Sequence, residues 1–150
     1  MRIADKISLV LKDKKQSRIL SIDPEQTVFE ALEQLALHDI GALIVLSGGR
    51  LVGIISERDY ARKCILQGKY PSETKVREIM TSPVHFVSPE YTVDECLATM
   101  TQNHFRHLPV MQDGAVVGML SIGDLVKWVI SGQAHAIEAL EGYIAGAYPA

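Results

Sequence analysis

Apolar residues recur along the chain with two different periods. Val28, Ala31, Leu32, Leu35 and Ala36 share one face at helical spacing, and Val93, Cys96, Leu97 and Met100 repeat the arrangement. Each stretch follows a Thr-x-x-Glu pair, Thr27 with Glu30 and Thr92 with Glu95, the spacing at which side chains satisfy the unpaired amides of a helix start. Further on, paired apolar runs flank glycine-bearing turns. Ala42 to Leu46 and Leu51 to Ile55 surround Ser47-Gly48-Gly49-Arg50, and Leu108 to Met111 and Val116 to Leu120 surround Gln112-Asp113-Gly114-Ala115. Both read as hairpins, and their nearly continuous apolar runs predict strands buried on both faces beneath helices. Shorter alternating segments, Ile19 to Ile22 and Val84 to Val87, precede Pro24 and Pro89 and read as first strands. Closing helices are expected from Ser56 and Ser121, with Tyr60, Ala61, Cys64 and Ile65 facing inward in one and Leu125, Val126, Val129 and Ile130 in the other.

These elements are two copies of one pattern. A shift of 65 residues lays Ile22 to Asp59 over Val87 to Asp124 without a gap, pairing Pro24 with Pro89, Gly53 with Gly118, Ser56 with Ser121 and Asp59 with Asp124. Each copy reads strand, helix, strand, strand, helix, and neither has enough core to stand alone, so the two are expected to pack through their sheets. The division is a first repeat with an N-terminal helix over 1–66, a polar linker over 67–74, a second repeat over 75–131, and a C-terminal helix and tail over 132–150. Within these spans, residues 3–11 carry Ile3, Ile7, Val10 and Leu11 on one side, Lys75 to Met80 reads as a short helix, and residues 134–145 align Ile137, Leu140 and Ile144.

Composition narrows the function classes. Apolar residues at 47% and charged residues at 22% describe an ordinary globular chain, and a net charge of −3 argues against a broad nucleic-acid-binding face. No run of about 18 apolar residues suggests a membrane span. The charged start reads unlike a signal peptide, so a reducing, cytoplasmic setting is expected, with Cys64 and Cys96 as buried free thiols. Neither the cysteines nor His38, His85, His104 and His135 have metal-ligand spacing, and no nucleophile–base constellation or phosphate-loop motif appears, so no catalytic or metal site is expected. Trp128 reads as a packing or interface residue.

The candidate chemistry lies where each hairpin runs into its closing helix. A strand carrying Gly53 or Gly118 and leading into a helix start suits a phosphate or ribose, because first-turn amides point outward and the helix dipole favours negative charge. Asp59 and Asp124 fall on those first turns and could accept hydrogen bonds from vicinal hydroxyls; Ser-x-x-Asp serves equally as a helix cap with no ligand at all. Arg58, Arg62 and Lys63 surround the first of these acids with positive charge, whereas Ile122 and Gly123 stand beside the second.

GIISERD at Gly53 to Asp59, GMLSIGD at Gly118 to Asp124, the two Pro-x-x-Thr-Val-x-Glu helix entries and FRHLPV at Phe105 to Val110 together resemble a tandem CBS (cystathionine beta-synthase) domain pair of the bacterial CBS-only type, over roughly residues 15–131. The fold class is then α+β, two repeats packed as a pseudo-two-fold pair. The resemblance implies clefts between the repeats that bind adenosine-containing ligands. It implies that Asp59 and Asp124 hold ribose, with Ser56 and Ser121 assisting, and that Arg106 and His107 reach the phosphate of the nucleotide held by Asp59 and Arg58. The matching Gly41-Ala42 pair leaves the Asp124 cleft with less charge. Ala42, Leu43, Leu108, Ile19 and Val84 are candidate walls for the adenine, and serve equally as core. The expected function is that of a homodimeric, energy-sensing regulatory module for AMP or NAD(H), acting on an unidentified protein, with no catalytic cofactor. A ligand-free interaction module and a nucleotide-converting enzyme are the alternatives. Placed at a helix entrance, Asp59 is expected to be replaceable by Ala with the fold nearly intact.

Overall fold

The computed structural model describes residues 2–14 and 19–144. A 3-10 turn leads into α1 (Ile7–Asp13). The first repeat follows as β1 (Ser21–Ile22), α2 (Val28–His38), β2 (Ala42–Ser47), β3 (Arg50–Ser56) and α3 (Glu57–Lys63). Two 3-10 turns and α4 (Val76–Ile79) lead to α5 (Val93–Asn103), β4 (His107–Gln112), β5 (Ala115–Ser121) and α6 (Ile122–Ile144).

The local signals act as their chemistry requires. Thr27 and Thr92 cap α2 and α5 by accepting from the amides of Glu30 and Glu95 at 3.1 and 3.2 Å. Both hairpins turn through paired residues at positive φ, Gly48 with Gly49 and Asp113 with Gly114, the backbone hand that matches the strand twist. β1 pairs in parallel with β2, and β2 pairs antiparallel with β3 past an irregularity at Val45/Leu46; β4 and β5 form a separate two-stranded sheet.

The chain divides into two compact units. One comprises residues 18–86 and 109–119, with a core in which Ile22, Val28, Ala31, Leu35, Leu43 and Val45 meet Ile55, Cys64, Val76 and Ile79. The other comprises residues 1–17, 87–108 and 120–150; its buried residues include Ile7, Val10, Val93, Cys96, Met100, Leu108 and Leu125. Backbone bonds tie α1 to the entry of α5: Ile7 and Ser8 donate to the carbonyls of Tyr91 and Pro89 at 2.8 and 3.2 Å, and Val93 donates to Asp5 at 2.9 Å.

Several sequence expectations are corrected. Val84 to Val87 forms no strand, and Val87 makes only an isolated bridge. The 67–74 segment is tied down, with Thr74 buried and its carbonyl accepting from the Val28 amide at 2.8 Å. α4 adds Val76 and Ile79 to the core of the unit that contains residues 18–86. α6 passes straight through Ser131-Gly132 to Ile144, since one interior glycine costs only about 1 kcal/mol and breaks nothing by itself. The side chains of Ile137 and Ile144 lie outside the described residues, and Leu140 is exposed. Ala61, Ile65, Val126 and Ile130 are exposed rather than inward, and the burial of β3 and β5 is partial where both faces were expected to be covered. Both cysteines are free and buried, and burial together with the Glu95 charge pushes the Cys96 thiol up to about 11.

Candidate functional site

At the first helix entry, β3 hands over to α3 through Ser56. The Ser56 hydroxyl accepts from the Asp59 amide at 3.2 Å, and Asp59 Oδ2 accepts from the Ser56 amide and hydroxyl at 2.9 and 3.0 Å. The Glu57 amide is satisfied by the Gly41 carbonyl at 3.1 Å. The second carboxylate oxygen is engaged as well: Oδ1 accepts from the Thr81 hydroxyl at 3.0 Å and meets the Lys63 ammonium at 2.9 Å. Thr81 is held in place because it and Ile54 exchange backbone bonds at 2.8 and 3.1 Å. Asp59 is consequently 7% exposed, and a ribose diol could reach it only by displacing Thr81 or Lys63. Thr81 carried no sequence signal, since nothing local marks a partner more than twenty positions away.

The second entry repeats the cap and differs beyond it. The Asp124 amide donates to the Ser121 hydroxyl at 3.1 Å, the Ser121 amide donates to Asp124 Oδ2 at 2.8 Å, and the Ile122 amide is satisfied by the Arg106 carbonyl at 2.8 Å. Lys14, the residue that ends α1, places its ammonium 2.9 Å from the same Oδ2. The Asp124 side chain keeps 22% of its surface exposed, and that of Lys14 keeps 26%. Burial pushes the Asp124 carboxyl upward, but the Ser121 amide and the Lys14 ammonium outweigh it and hold the group below its ordinary value.

Arg106 and His107 belong to the compact unit that contains Asp124. Arg106 is exposed and His107 half-buried. Burial lowers the proton affinity of His107, Asp124 opposes this, and Lys14 and Arg106 reinforce it, leaving the ring below its ordinary 6.5. The Asp124 entry thus has basic surroundings, where the Gly41-Ala42 pair predicts little charge; the cation comes from the end of α1, which docks on the entry of α5 through the same backbone bonds that α4 makes to the entry of α2. An unfolded chain protonates His107 at its ordinary value while the folded chain resists. Stability from this group is therefore complete above 6.5 and is lost as pH falls from there to the depressed folded value. The urea midpoint should fall between about pH 7.5 and about pH 5.5 in the wild type and fall less in His107→Gln; equal falls would assign the effect to another group.

The remaining candidates divide by exposure. Ala42, Leu43 and Leu108 are fully buried core residues, Ile19 is exposed, and Val84 is half-buried. Arg58 is exposed on α3 while Lys63, one turn on, reaches Asp59. Among the described residues, no group of three or more His, Cys, Asp or Glu side chains could hold a metal ion, and no helix is long and apolar enough to cross a membrane.

Comparison with known proteins bears on this arrangement directly. The CBS domain family model matches residues 13–65 and again 76–131. The chain is 40% identical over 150 residues to the CBS domain-containing protein CBSX3, mitochondrial, of Arabidopsis thaliana, covering 95% of this chain and 73% of that protein. It is 30% identical over 115 residues to the CBS domain-containing protein YhcV of Bacillus subtilis, covering 77% of this chain and 81% of that one. Among solved structures, a protein with CBS domains from Burkholderia ambifaria superposes with a TM-score of 0.84 at 43% identity, covering 86% of this chain and 96% of the other. The two Ser-capped, acid-bearing helix entries are therefore those of a tandem CBS pair, and the chain belongs to the CBS domain family.

Proposed function

We propose that this chain is a regulatory module that binds an adenine nucleotide, AMP or NAD(H), reversibly and without converting it. The observation that carries the reading is the duplicated entry, in which a serine cap holds an aspartate on the first turn of a helix. Of the two, Asp124 is the better acceptor for a ribose diol. Its side chain keeps water-accessible surface, whereas both oxygens of Asp59 are already committed. Ionised carboxylates form the stronger class of hydrogen bond to hydroxyls, and the dipole of a 23-residue helix favours an anion near its start. In this reading the protein is a cytoplasmic homodimer, and the nucleotide changes how it engages an unidentified protein.

A thermal-shift panel with AMP, ATP and NADH tests the proposal. A ligand at a hundredfold excess over its Kd adds about 2.7 kcal/mol to the folded state, which for a chain of this size raises Tm by about 5–10 °C. The shift should disappear in Asp124→Ala and persist in a variant altered at exposed Arg50. Chromatography of the incubated nucleotide should return it unchanged. No shift with any of the three at millimolar concentration would favour the ligand-free interaction module, and conversion would make the protein an enzyme.

A further inference from the structure

Among the described residues α6 is the longest helix, 23 residues, and it runs past residue 131, where the second family match ends. One face belongs to its own unit: Leu125 is buried, and the Trp128 indole donates to Asp5 at 3.0 Å. About 100° around the helix lies a second apolar stripe. Val126, Ile130, Gln133, Ile137, Leu140 and Ile144 follow one another at alternating intervals of four and three residues. That is the heptad spacing that keeps a seam turned toward another helix. Of these, Val126, Ile130 and Leu140 are exposed. The equivalent helix of the first repeat has no such stripe, since α3 ends at Lys63 and puts Glu57 and Ala61 where α6 has Ile122 and Val126. The repeat's own packing therefore does not require it.

We propose that this stripe of α6 is the contact surface of a homodimer in which the α6 helices of two copies pair antiparallel, the two-fold axis crossing near the middle of the 126–144 segment. The inference rests on the homodimer in the reading given above, and adds the surface and its register. A two-fold pairing is self-complementary, so a seam that fits one copy fits the other. Antiparallel alignment sets Ile130 against the partner's Leu140. These residues are 57% and 60% exposed in the single chain, and pairing withdraws their apolar surface from water on both copies. The flanks choose the direction. Lys127 and Glu141 border the seam on the same side and are both exposed, and the antiparallel register brings each Lys127 beside the partner's Glu141. Parallel alignment would set Lys127 beside the partner's Ile122 and Glu141 beside the partner's Ala136, with no charge to meet either. A membrane surface fits the helix less well. From Ile122 to Ile144 it carries one lysine and no arginine against Asp124, Glu138 and Glu141, a balance that anionic headgroups repel.

Sedimentation velocity on the full chain over a range of concentrations reads the association directly. The wild type should be dimeric. Ile130→Glu should weaken the dimer by about a hundredfold or more, because it sets two carboxylates into the seam, and should keep its helical circular dichroism, because the position faces solvent in the single chain. Lys127→Glu and Glu141→Lys should each weaken the dimer by about three- to tenfold, and the two together should restore it, since the pairs are then only reversed. A purely structural role for either residue would not produce that rescue. Losses that the double variant fails to restore overturn the antiparallel register. A dimer unchanged in Ile130→Glu overturns the role given to α6 and leaves the homodimer standing on another surface. A wild type that stays monomeric even at millimolar concentration removes the homodimer and this inference with it, and monomers that bind phosphatidylserine vesicles would assign the stripe to a membrane. Nucleotide binding is judged apart from all of these, by the AMP-dependent rise in Tm, which should persist in Ile130→Glu.

Discussion

Asp59→Ala should lower the melting temperature by about 5–10 °C, through the loss of about 2–3 kcal/mol. The carboxylate accepts from the Ser56 amide, the Ser56 hydroxyl and the Thr81 hydroxyl and pairs with Lys63 in a setting that leaves the residue 7% exposed. Truncation strands the amide and hydroxyl of half-buried Ser56, and an unmade hydrogen bond costs most where water is least able to replace it. Lys63 limits the damage, since its side chain is 46% exposed and rehydrates freely. Thr81 is exposed as well, so the damage should concentrate on the Ser56 cap. Asp124→Ala removes the equivalent cap, worth about 1 kcal/mol, together with the Lys14 ion pair, and from this more open position should cost about 1–2 kcal/mol. Urea denaturation of the two variants side by side measures the contrast. Equal losses would mean that Thr81 and Lys63 add no more at Asp59 than Lys14 adds at Asp124, and a nearly unchanged Asp59→Ala would restore the view that a helix-entrance acid is dispensable.

That view came from position alone, and it shows where the sequence stopped being legible. Features set within a few residues could be read: the Thr27 and Thr92 caps, the turns at Gly48-Gly49 and Asp113-Gly114, and the serines that open α3 and α6. Their physics is local, a side chain meeting an amide three residues on or a backbone that needs positive φ. Partners brought from a distance could not be read. Thr81 reaches Asp59 only because it is zipped to Ile54, and Lys14 reaches Asp124 only because α1 docks against the start of α5. The same limit explains Val84 to Val87, whose alternation suits a strand. A strand also needs an edge to pair with, and there only Val87 makes a bridge. Helical periodicity misled at Ala61, Ile65, Val126 and Ile130 for a related reason. α3 is a short helix ending at Lys63, and α6 buries Leu125 while turning Val126 and Ile130 outward, so a shared period did not mean a shared buried face.

The candidate adenine walls present the sharpest conflict between ligand and core, and truncating them should separate the roles. Leu43 and Leu108 occupy equivalent places in the repeat and both are 0% exposed, Leu43 within the cluster around Ile22, Val28 and Ile55. Leu43→Ala and Leu108→Ala should each cost about 3 kcal/mol, because the lost transfer free energy is joined by the cavity left in a close-packed interior. Ile19→Ala should cost less, about 1 kcal/mol, since that residue is 37% exposed and its truncation opens onto solvent and leaves no closed cavity. If AMP raises Tm by the same increment in wild type, Leu43→Ala and Leu108→Ala despite their lower starting points, the two leucines are core alone. If the increment shrinks while the unliganded melting temperature barely moves, they face the ligand, and their burial belongs to a closed state of the site that a bound nucleotide opens. Leu43 follows Ala42 on β2 and Leu108 follows His107 on β4, so each residue is one step from the position that differs between the repeats, alanine in one and histidine in the other. Equal stability losses paired with unequal changes in binding would therefore trace the functional difference between the repeats to the strand entries and leave the shared core out of it.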